Sequence, residues 1–241
     1  MRKIFGFIVV CAVLQLLFGC TGSSKQRSPE EWLSLSYSGL AAMDQYAFTG
    51  SLSIGIGEGA MLKPQTFEGK IVNHHQLTLQ SEGQDHMKWN PVNILKSLKE
   101  SNEKVEIIKE GTEKSLGADI IVLHVWEDAE TAKLRWKKTL TEQLDQLTGN
   151  NIIAGSATSN SYKTVIEQSR NELNNMLNSL MVDSQYDLII DKKKLIPLKM
   201  DERTAFSYFK NGQQANESRH TMIRFQSFDG SATEDAISPK S

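Results

Sequence analysis

Both cysteines of the 241-residue chain, Cys11 and Cys20, lie within its first 20 residues, and this limits how the rest of the chain can be held together. The same segment begins with two cations, Arg2 and Lys3, and continues as a mostly apolar run. That run is too short to favour a membrane-spanning helix and has the layout of an export signal. If the segment is removed before Cys20, the mature chain keeps no free thiol and no internal disulfide. A domain of about 220 residues must then depend on a hydrophobic core, for which this length suffices.

The apolar run closes on Leu17-Phe18-Gly19-Cys20, which resembles the lipobox of bacterial lipoproteins. The resemblance implies that residues 1–19 are a signal peptide and that Cys20 is lipidated, with palmitate for example, as the first mature residue. It also implies a lipid-anchored protein of the cell membrane on the extracytoplasmic side. The alternatives are a plain secretory signal and an uncleaved anchor. After Cys20, residues 21–27 are small and polar, which predicts a flexible tether within the segment 20–27.

Composition and histidine placement argue against several kinds of site. The formal charge of −2 becomes about −4 once Arg2 and Lys3 are lost, so nucleic acid is not an expected partner. A mature chain without cysteine has no thiol nucleophile, zinc–thiolate or iron–sulfur site. His74 and His75 are neighbours in a predicted strand and would point to opposite faces, so no metal site is expected. We expect His124, inside an apolar strand, to be a partnered, half-buried residue. The sequence therefore predicts no cofactor and no enzyme activity.

Two short helices are predicted from their first residues. Ser28 can cap a helix that begins at Pro29, and Glu31 completes a capping box, with the apolar pattern ending near Asp44. Asn90 precedes a proline and a short apolar face in the same way.

A pair of long helices is predicted near 128–181. Asp128 caps the first, which should reach about Leu147, and residues 149–161 form a polar loop. The second helix should run from Tyr162 to Met181, since its apolar residues follow a 3.6-residue period. Each helix needs a surface on which to bury its apolar side, and the apolar face of a sheet is the expected place.

The rest of the chain alternates with the period of a half-buried strand. Strands are predicted from Tyr46 to Ile56, over one stretch from Phe67 to Leu79, and later at 104–109, 119–126, 186–191, 195–200, 204–209 and 221–228. Residues 111–117 are predicted to turn between two of them. Residues 229–241 are predicted to be a disordered tail.

Several short segments resemble the LolA/LolB lipoprotein carriers and their LppX relatives. They are Gly39-Leu40 with Tyr46-Ala47-Phe48-Thr49-Gly50, Trp89-Asn90-Pro91 with Ile94-Leu95, and Tyr186–Asp191 followed by Leu195-Ile196-Pro197-Leu198. The resemblance implies an α+β domain over 28–228: a curved antiparallel half-barrel sheet with helices packed on its concave face. The long helical pair at about 128–181 is an addition that either enlarges this plug or forms a separate lid.

The predicted function is that of a membrane-anchored envelope lipoprotein that binds a lipid or other apolar ligand in the half-barrel. A concave apolar face can hold acyl chains, since each buried methylene contributes roughly 0.8 kcal/mol. The candidate lining residues are Phe48, Leu52, Ile54, Phe67, Ile71, Leu123, Val125, Ile189, Phe206, Ile223 and Phe225. The alternative is that they form an ordinary packed core. The protein would then be a non-enzymatic interaction or assembly lipoprotein of the envelope, for example one that supports sporulation or germination partners.

Overall fold

A computed structural model describes residues 26–57, 59–81, 90–153 and 160–228. Its helices are α1 (Pro29–Ala41), α2 (Pro91–Glu100), α3 (Ala129–Ile153) and α4 (Asn160–Asn178). Its strands are β1 (Tyr46–Ile56), β2 (Ala60–Met61), β3 (Gln65–Val72), β4 (Gln76–Ser81), β5 (Asn102–Glu113), β6 (Ala118–Glu127), β7 (Met181–Asp191), β8 (Ile196–Lys210) and β9 (Gln213–Gln226). The predicted signal peptide, Cys20, most of the tether and the tail at 229–241 lie outside the described residues.

The three helix starts predicted from capping residues are confirmed. The Ser28 hydroxyl accepts a bond from the Glu31 N–H at 3.2 Å, and the Glu31 carboxylate accepts one from the Ser28 N–H at 2.9 Å. The Asn90 side chain accepts a bond from the N–H two residues on, at 3.0 Å. Asp128 accepts a bond from the Thr131 N–H at 2.8 Å, which caps α3. Local sequence therefore fixes where these helices begin.

The helix ends differ from the predictions. α1 ends at Ala41, before the predicted end near Asp44, and α4 spans Asn160–Asn178, with Met181 already in β7. α3 continues through the predicted loop start at Gly149 to Ile153. Because glycine and asparagine lower helix propensity by only about 1 kcal/mol or less each, they do not stop a long helix by themselves.

Several strand predictions also needed correction. The segments predicted as two strands at 195–200 and 204–209 form the single strand β8, and β9 begins at Gln213, before the predicted start at 221. The stretch predicted as one strand from Phe67 to Leu79 forms β3 and β4, joined by a turn in which Asn73 and His74 have positive φ angles of 53° and 64°. His74 and His75 therefore lie in a turn and not in a strand. The predicted turn at 111–117 is shorter, since β5 continues to Glu113 before the chain reverses.

The strands form one open antiparallel sheet, and the predicted α+β class is confirmed. Its order is β4-β3-β1-β9-β8-β7-β6-β5, with the short β2 paired to β1, so β4 and β5 are the two edges of the path. Long hairpins dominate the centre; β8 and β9, for example, pair from Lys199 with Arg224 to Lys210 with Gln213.

Two apolar clusters lie on the same face of this sheet, which we call the inner face. The first, the filled core, joins α1 and α2 to most strands and includes Tyr186, Leu188 and Ile190 of β7. The second, the helical-pair cluster, joins α3 and α4 to the sheet and includes Val182 of β7 and Tyr208 of β8. Residues an even number apart in a strand share a face, so both clusters occupy the inner face at different points along the strands.

Among the described residues, no helix is both long enough and apolar enough to cross a membrane.

Candidate functional site

Most of the predicted lining residues lie in the filled core. Eight of them are buried there: Phe48, Leu52, Phe67, Ile71, Leu123, Val125, Ile223 and Phe225. Ile54 is half-buried against the same cluster, and Phe206 packs in the helical-pair cluster.

Ile189 is the exception and corrects the predicted strand phase. Its neighbours Leu188 and Ile190 belong to the filled core, so Ile189 points to the outer face of the sheet. There it pairs across the strands with Val122 and Lys199. It therefore does not line the inner face.

Interlocked aromatic rings fill the inner face around β1 and β3. Phe48 pairs with Gly69 and Phe67 with Gly50 across the two strands. Each ring lies over the opposite glycine, so that a Cβ on either glycine would collide with it. The ring of Phe225 lies 6.3 Å from that of Phe48. This part of the predicted ligand site is packed with protein side chains.

An apolar cavity of about 160 Å³ lies instead between the helical pair and the inner face. Its wall is contributed by both long helices and by strands β1, β8 and β9. The lining residues are Ile54, Trp136, Leu140, Leu173, Met176, Leu177, Leu180, Phe206, Tyr208, Glu217, Ser218 and Arg219. Of the candidates named from the sequence, only Ile54 and Phe206 belong to it. The sequence indicates that one side of each long helix is apolar, but no sequence signal indicates that these sides leave a space against the sheet.

A buried polar cluster joins the base of α3 to the inner face. Arg135 donates two bonds to the carboxylate of Glu127, at 3.1 and 2.7 Å, and one to the hydroxyl oxygen of Tyr186 at 2.8 Å. The Tyr186 hydroxyl lies 2.9 Å from Glu202 Oε1 and 3.2 Å from Glu127 Oε2. Neither the sequence motifs nor the periodicity indicated this cluster, because its members come from four elements. It fixes α3 to β6, β7 and β8.

The electrostatics of this cluster keep its donors protonated. Burial, followed by the negative charge of Glu202, raises the pKa of Tyr186 well above its ordinary value. Burial alone would lower the pKa of Arg135, but Tyr186, Glu127 and Glu202 outweigh it, and the net pKa lies above the ordinary value. Arg135 therefore remains a cation and Tyr186 a neutral hydroxyl over the whole physiological range.

The outer face carries a second group of polar residues. His124 is half-buried, and its Nδ1 lies 2.5 Å from Asp187, so the predicted partnered histidine is confirmed. Arg203 bonds the other oxygen of Asp187 at 2.9 Å and lies 3.4 Å from Asp201, which in turn lies 2.9 Å from His220 Nε2. Within the described ranges, no group of three or more acidic, histidine or cysteine side chains is placed to hold a metal ion. These contacts make an ion-pair network across neighbouring strands.

No protein-family model matches this sequence, and no curated protein matches it either. Among solved structures, the lipoprotein LppX of Mycobacterium tuberculosis is 6% identical with a TM-score of 0.32, over 85% of this chain and 96% of that one. A LolA superfamily protein from Nitrosomonas europaea is 8% identical with a TM-score of 0.27, over 89% and 99%. The MucA/MucB complex of Pseudomonas aeruginosa gives 10% and 0.30, over 88% of this chain but only 61% of that one. At these scores the likenesses carry nothing about what this chain binds.

Proposed function

We propose that this chain is a non-catalytic envelope lipoprotein that binds an apolar ligand between its helical pair and the inner face of its sheet. The observation that carries the proposal is the position of the cavity. The filled core is packed, whereas α3 and α4 leave about 160 Å³ bounded largely by leucine, methionine and aromatic side chains.

The size of the cavity limits the ligand to a narrow molecule or a single chain. An apolar cavity of roughly 150 Å³ holds a molecule such as benzene, while sites for larger ligands have volumes of about 300–1,000 Å³. The space as it stands therefore takes part of one hydrocarbon chain. Each buried methylene contributes about 0.8 kcal/mol, so a chain that separated α3 from α4 would gain binding energy as it entered.

The ion pair seen between the two helices in the described part of the chain is exposed. Arg170 on α4 bonds Asp145 on α3 at 2.7 Å, but both side chains are about half exposed. Exposed pairs of this kind contribute about 0–1 kcal/mol. By contrast, the base of α3 is held by the buried contacts of Arg135. The helical pair is therefore suited to open at its far end while its base stays on the sheet.

The proposal includes the anchor at Cys20. A tether of seven residues, 21–27, spans at most about 25 Å, which would keep the domain next to the membrane. One acyl chain alone gives only marginal membrane binding, so stable anchoring needs a cysteine with more than one chain. In cell fractionation, Cys20→Ala should move the protein out of the processed membrane fraction. Normal maturation and membrane association of this variant would contradict the anchor.

Ligand binding is tested with the chain from position 20 onward, carrying Cys20→Ser so that no lipid can be attached. Native mass spectrometry should detect extractable lipid, and a fluorescent fatty acid should bind. Leu173→Trp should fill the cavity and weaken binding by about tenfold or more, since it removes the space that a chain would occupy. Leu134→Trp is the matched control, because Leu134 lies on α3 and is 66% exposed.

A second candidate function follows from the packed residues. Because eight of the eleven predicted lining residues are buried in the filled core, an interaction or assembly role without a ligand is the alternative. A wild-type domain with no extractable lipid and no fatty-acid binding would favour it. Equal binding by Leu173→Trp and the wild type would contradict the proposed cavity.

A further inference from the structure

A second space lies between the solvent side of α4 and the turn that joins β8 to β9. It measures about 740 Å³, within the range of about 300–1,000 Å³ that is usual for ligand sites. Of its lining residues, only Met176 also lines the apolar cavity, so the two sites are distinct. We call it the amide cleft, because most of its polar side chains are amides.

Four amide side chains form one stripe along the α4 wall of the cleft. They are Gln168, Asn171, Asn175 and Asn178, and their spacing of three, four and three residues places them on one face of the helix. All four are exposed, so their amide groups are accessible to a ligand. Asparagine is a poorer helix former than alanine, lysine or glutamate, which would suit a face that only needs to be soluble. The stripe therefore indicates a binding role.

The opposite wall of the cleft is a rigid turn. Asn211 and Gly212 have φ angles of 53° and 78°, as in the tight two-residue hairpin turns that asparagine and glycine favour. The Phe209 N–H donates a hydrogen bond to Ser179 Oγ at 2.9 Å, which ties the end of β8 to the end of α4. The two walls are therefore held in position without a ligand, as a binding site requires.

The chemistry of the cleft suits an uncharged ligand that carries hydroxyl groups. The two charged residues in its wall, Glu172 and Lys210, compensate each other, with 3.6 Å between Oε1 and Nζ. Each amide offers two N–H donors and a carbonyl acceptor, and each hydroxyl group of a ligand can both donate and accept. Phe209 is 55% exposed at the cleft and offers an aromatic face to an apolar surface. Sugar rings combine these properties, because they carry hydroxyls at their edges and C–H groups on their faces.

A peptide is a less suitable occupant. Extended peptides are commonly bound by pairing with a free strand edge. At the cleft, β8 and β9 pair with each other as far as Lys210 and Gln213, so their facing edges are already occupied. The cleft therefore offers side-chain amides and an aromatic ring rather than a strand edge.

We propose that the amide cleft binds an uncharged oligosaccharide of pyranose rings. One ring stacks on Phe209, and the hydroxyls of the chain bond the amides of Asn171, Asn175 and Asn211. The stripe runs about 15 Å along the helix, which suits an elongated ligand. This site is independent of the apolar ligand proposed above.

The test titrates the chain from position 20 onward, carrying Cys20→Ser, with cellotetraose and with tetra-N-acetylchitotetraose by calorimetry. At least one of them should bind with a Kd of about 1 mM or tighter, and a preference for the second would identify acetamido sugars as the ligands. Asn175→Ala should weaken binding about fivefold or more, since it removes a donor and an acceptor from the cleft. Asn174→Ala is the matched control, because Asn174 is an exposed neighbour on α4 that does not line the cleft.

Phe209 is tested in the same titration. Phe209→Ala should weaken binding about tenfold, Phe209→Tyr should preserve it, and Met181→Ala, at a residue that is 60% exposed and outside the cleft, should change nothing. Both asparagine variants should melt at the wild-type temperature or above it, because alanine is the better helix former, so weaker binding cannot be due to unfolding.

Three results would overturn the proposal. The first is the absence of saturable binding of either tetrasaccharide up to about 10 mM. The second is an equal effect of Asn174→Ala and Asn175→Ala. The third is tighter binding of a blocked hexapeptide of alanine and glycine than of both sugars.

Discussion

The contact between Arg135 and Glu127 offers a sharp test of what holds the helical pair to the sheet. Arg135→Met keeps the length and apolar stem of the side chain but removes its charge and its bonds to Glu127 and Tyr186. The side chain of Glu127 is fully buried and that of Glu202 nearly so, which leaves two buried carboxyl groups without their cation. Removing one partner of a buried ion pair costs about 3–5 kcal/mol. The free energy of unfolding should fall by that amount.

An exposed ion pair with the same N–O distance serves as the control. The Nη2 atom of Arg135 lies 2.7 Å from Glu127, and that of Arg170 lies 2.7 Å from Asp145, but the second pair is about half exposed. Arg170→Met should therefore cost only about 0.2–1 kcal/mol. With the N–O distances equal, the two substitutions differ in burial and in the additional bonds that Arg135 donates.

Urea unfolding followed by circular dichroism measures both variants. With a slope of about 1–3 kcal/mol per molar urea, Arg135→Met should lower the midpoint by roughly 1–2 M or more, while Arg170→Met shifts it by a few tenths. Adding Glu127→Gln to Arg135→Met should restore about 0.5–3 kcal/mol of the free energy of unfolding, because it removes one unpaired buried charge. A loss below about 1 kcal/mol for Arg135→Met, or strict additivity in the double variant, would refute the reasoning.

Three further outcomes are expected. Leu177→Asp should lower the free energy of unfolding by several kcal/mol because it buries a charge. Val165→Asp, at a residue of α4 that is 56% exposed, should cost little. Val125→Trp should lower the melting temperature strongly, since overpacking a filled core costs about 1–3 kcal/mol or more, whereas Ile189→Trp on the outer face should be tolerated. The hydrogen bond from the Thr131 N–H holds the pKa of the Asp128 carboxyl below its ordinary value. Its contribution is therefore complete above the ordinary pKa and is lost as the pH falls through the lowered one. Asp128→Ala should lower the urea midpoint at neutral pH, and this difference should shrink in acid.

Much of the local structure could be predicted because its causes lie within a few residues. The caps at Ser28, Asn90 and Asp128 each bond a backbone N–H no more than three residues away, so the helix starts followed from the sequence. The alternation from Tyr46 to Ile56 predicted β1 with the bounds that the structure shows. Where three apolar residues follow one another, as at Leu188-Ile189-Ile190, a period of two has no unique phase. The placement of Ile189 inside was wrong for that reason.

The site depended on contacts between distant parts of the chain. Arg135 meets Glu127, Tyr186 and Glu202 only because α3 packs across three neighbouring strands, and no local pattern indicates that meeting. The apolar stripe around Leu173 and Leu177 showed that α4 needed a surface to cover. Whether that surface closed against the helix or left a cavity depended on how side chains from five elements fill the space between them. The sequence by itself determined which faces are apolar. Only the tertiary structure decided where packing is complete and where about 160 Å³ remains open. The reason is that packing depends on side chains brought together from distant positions of the chain.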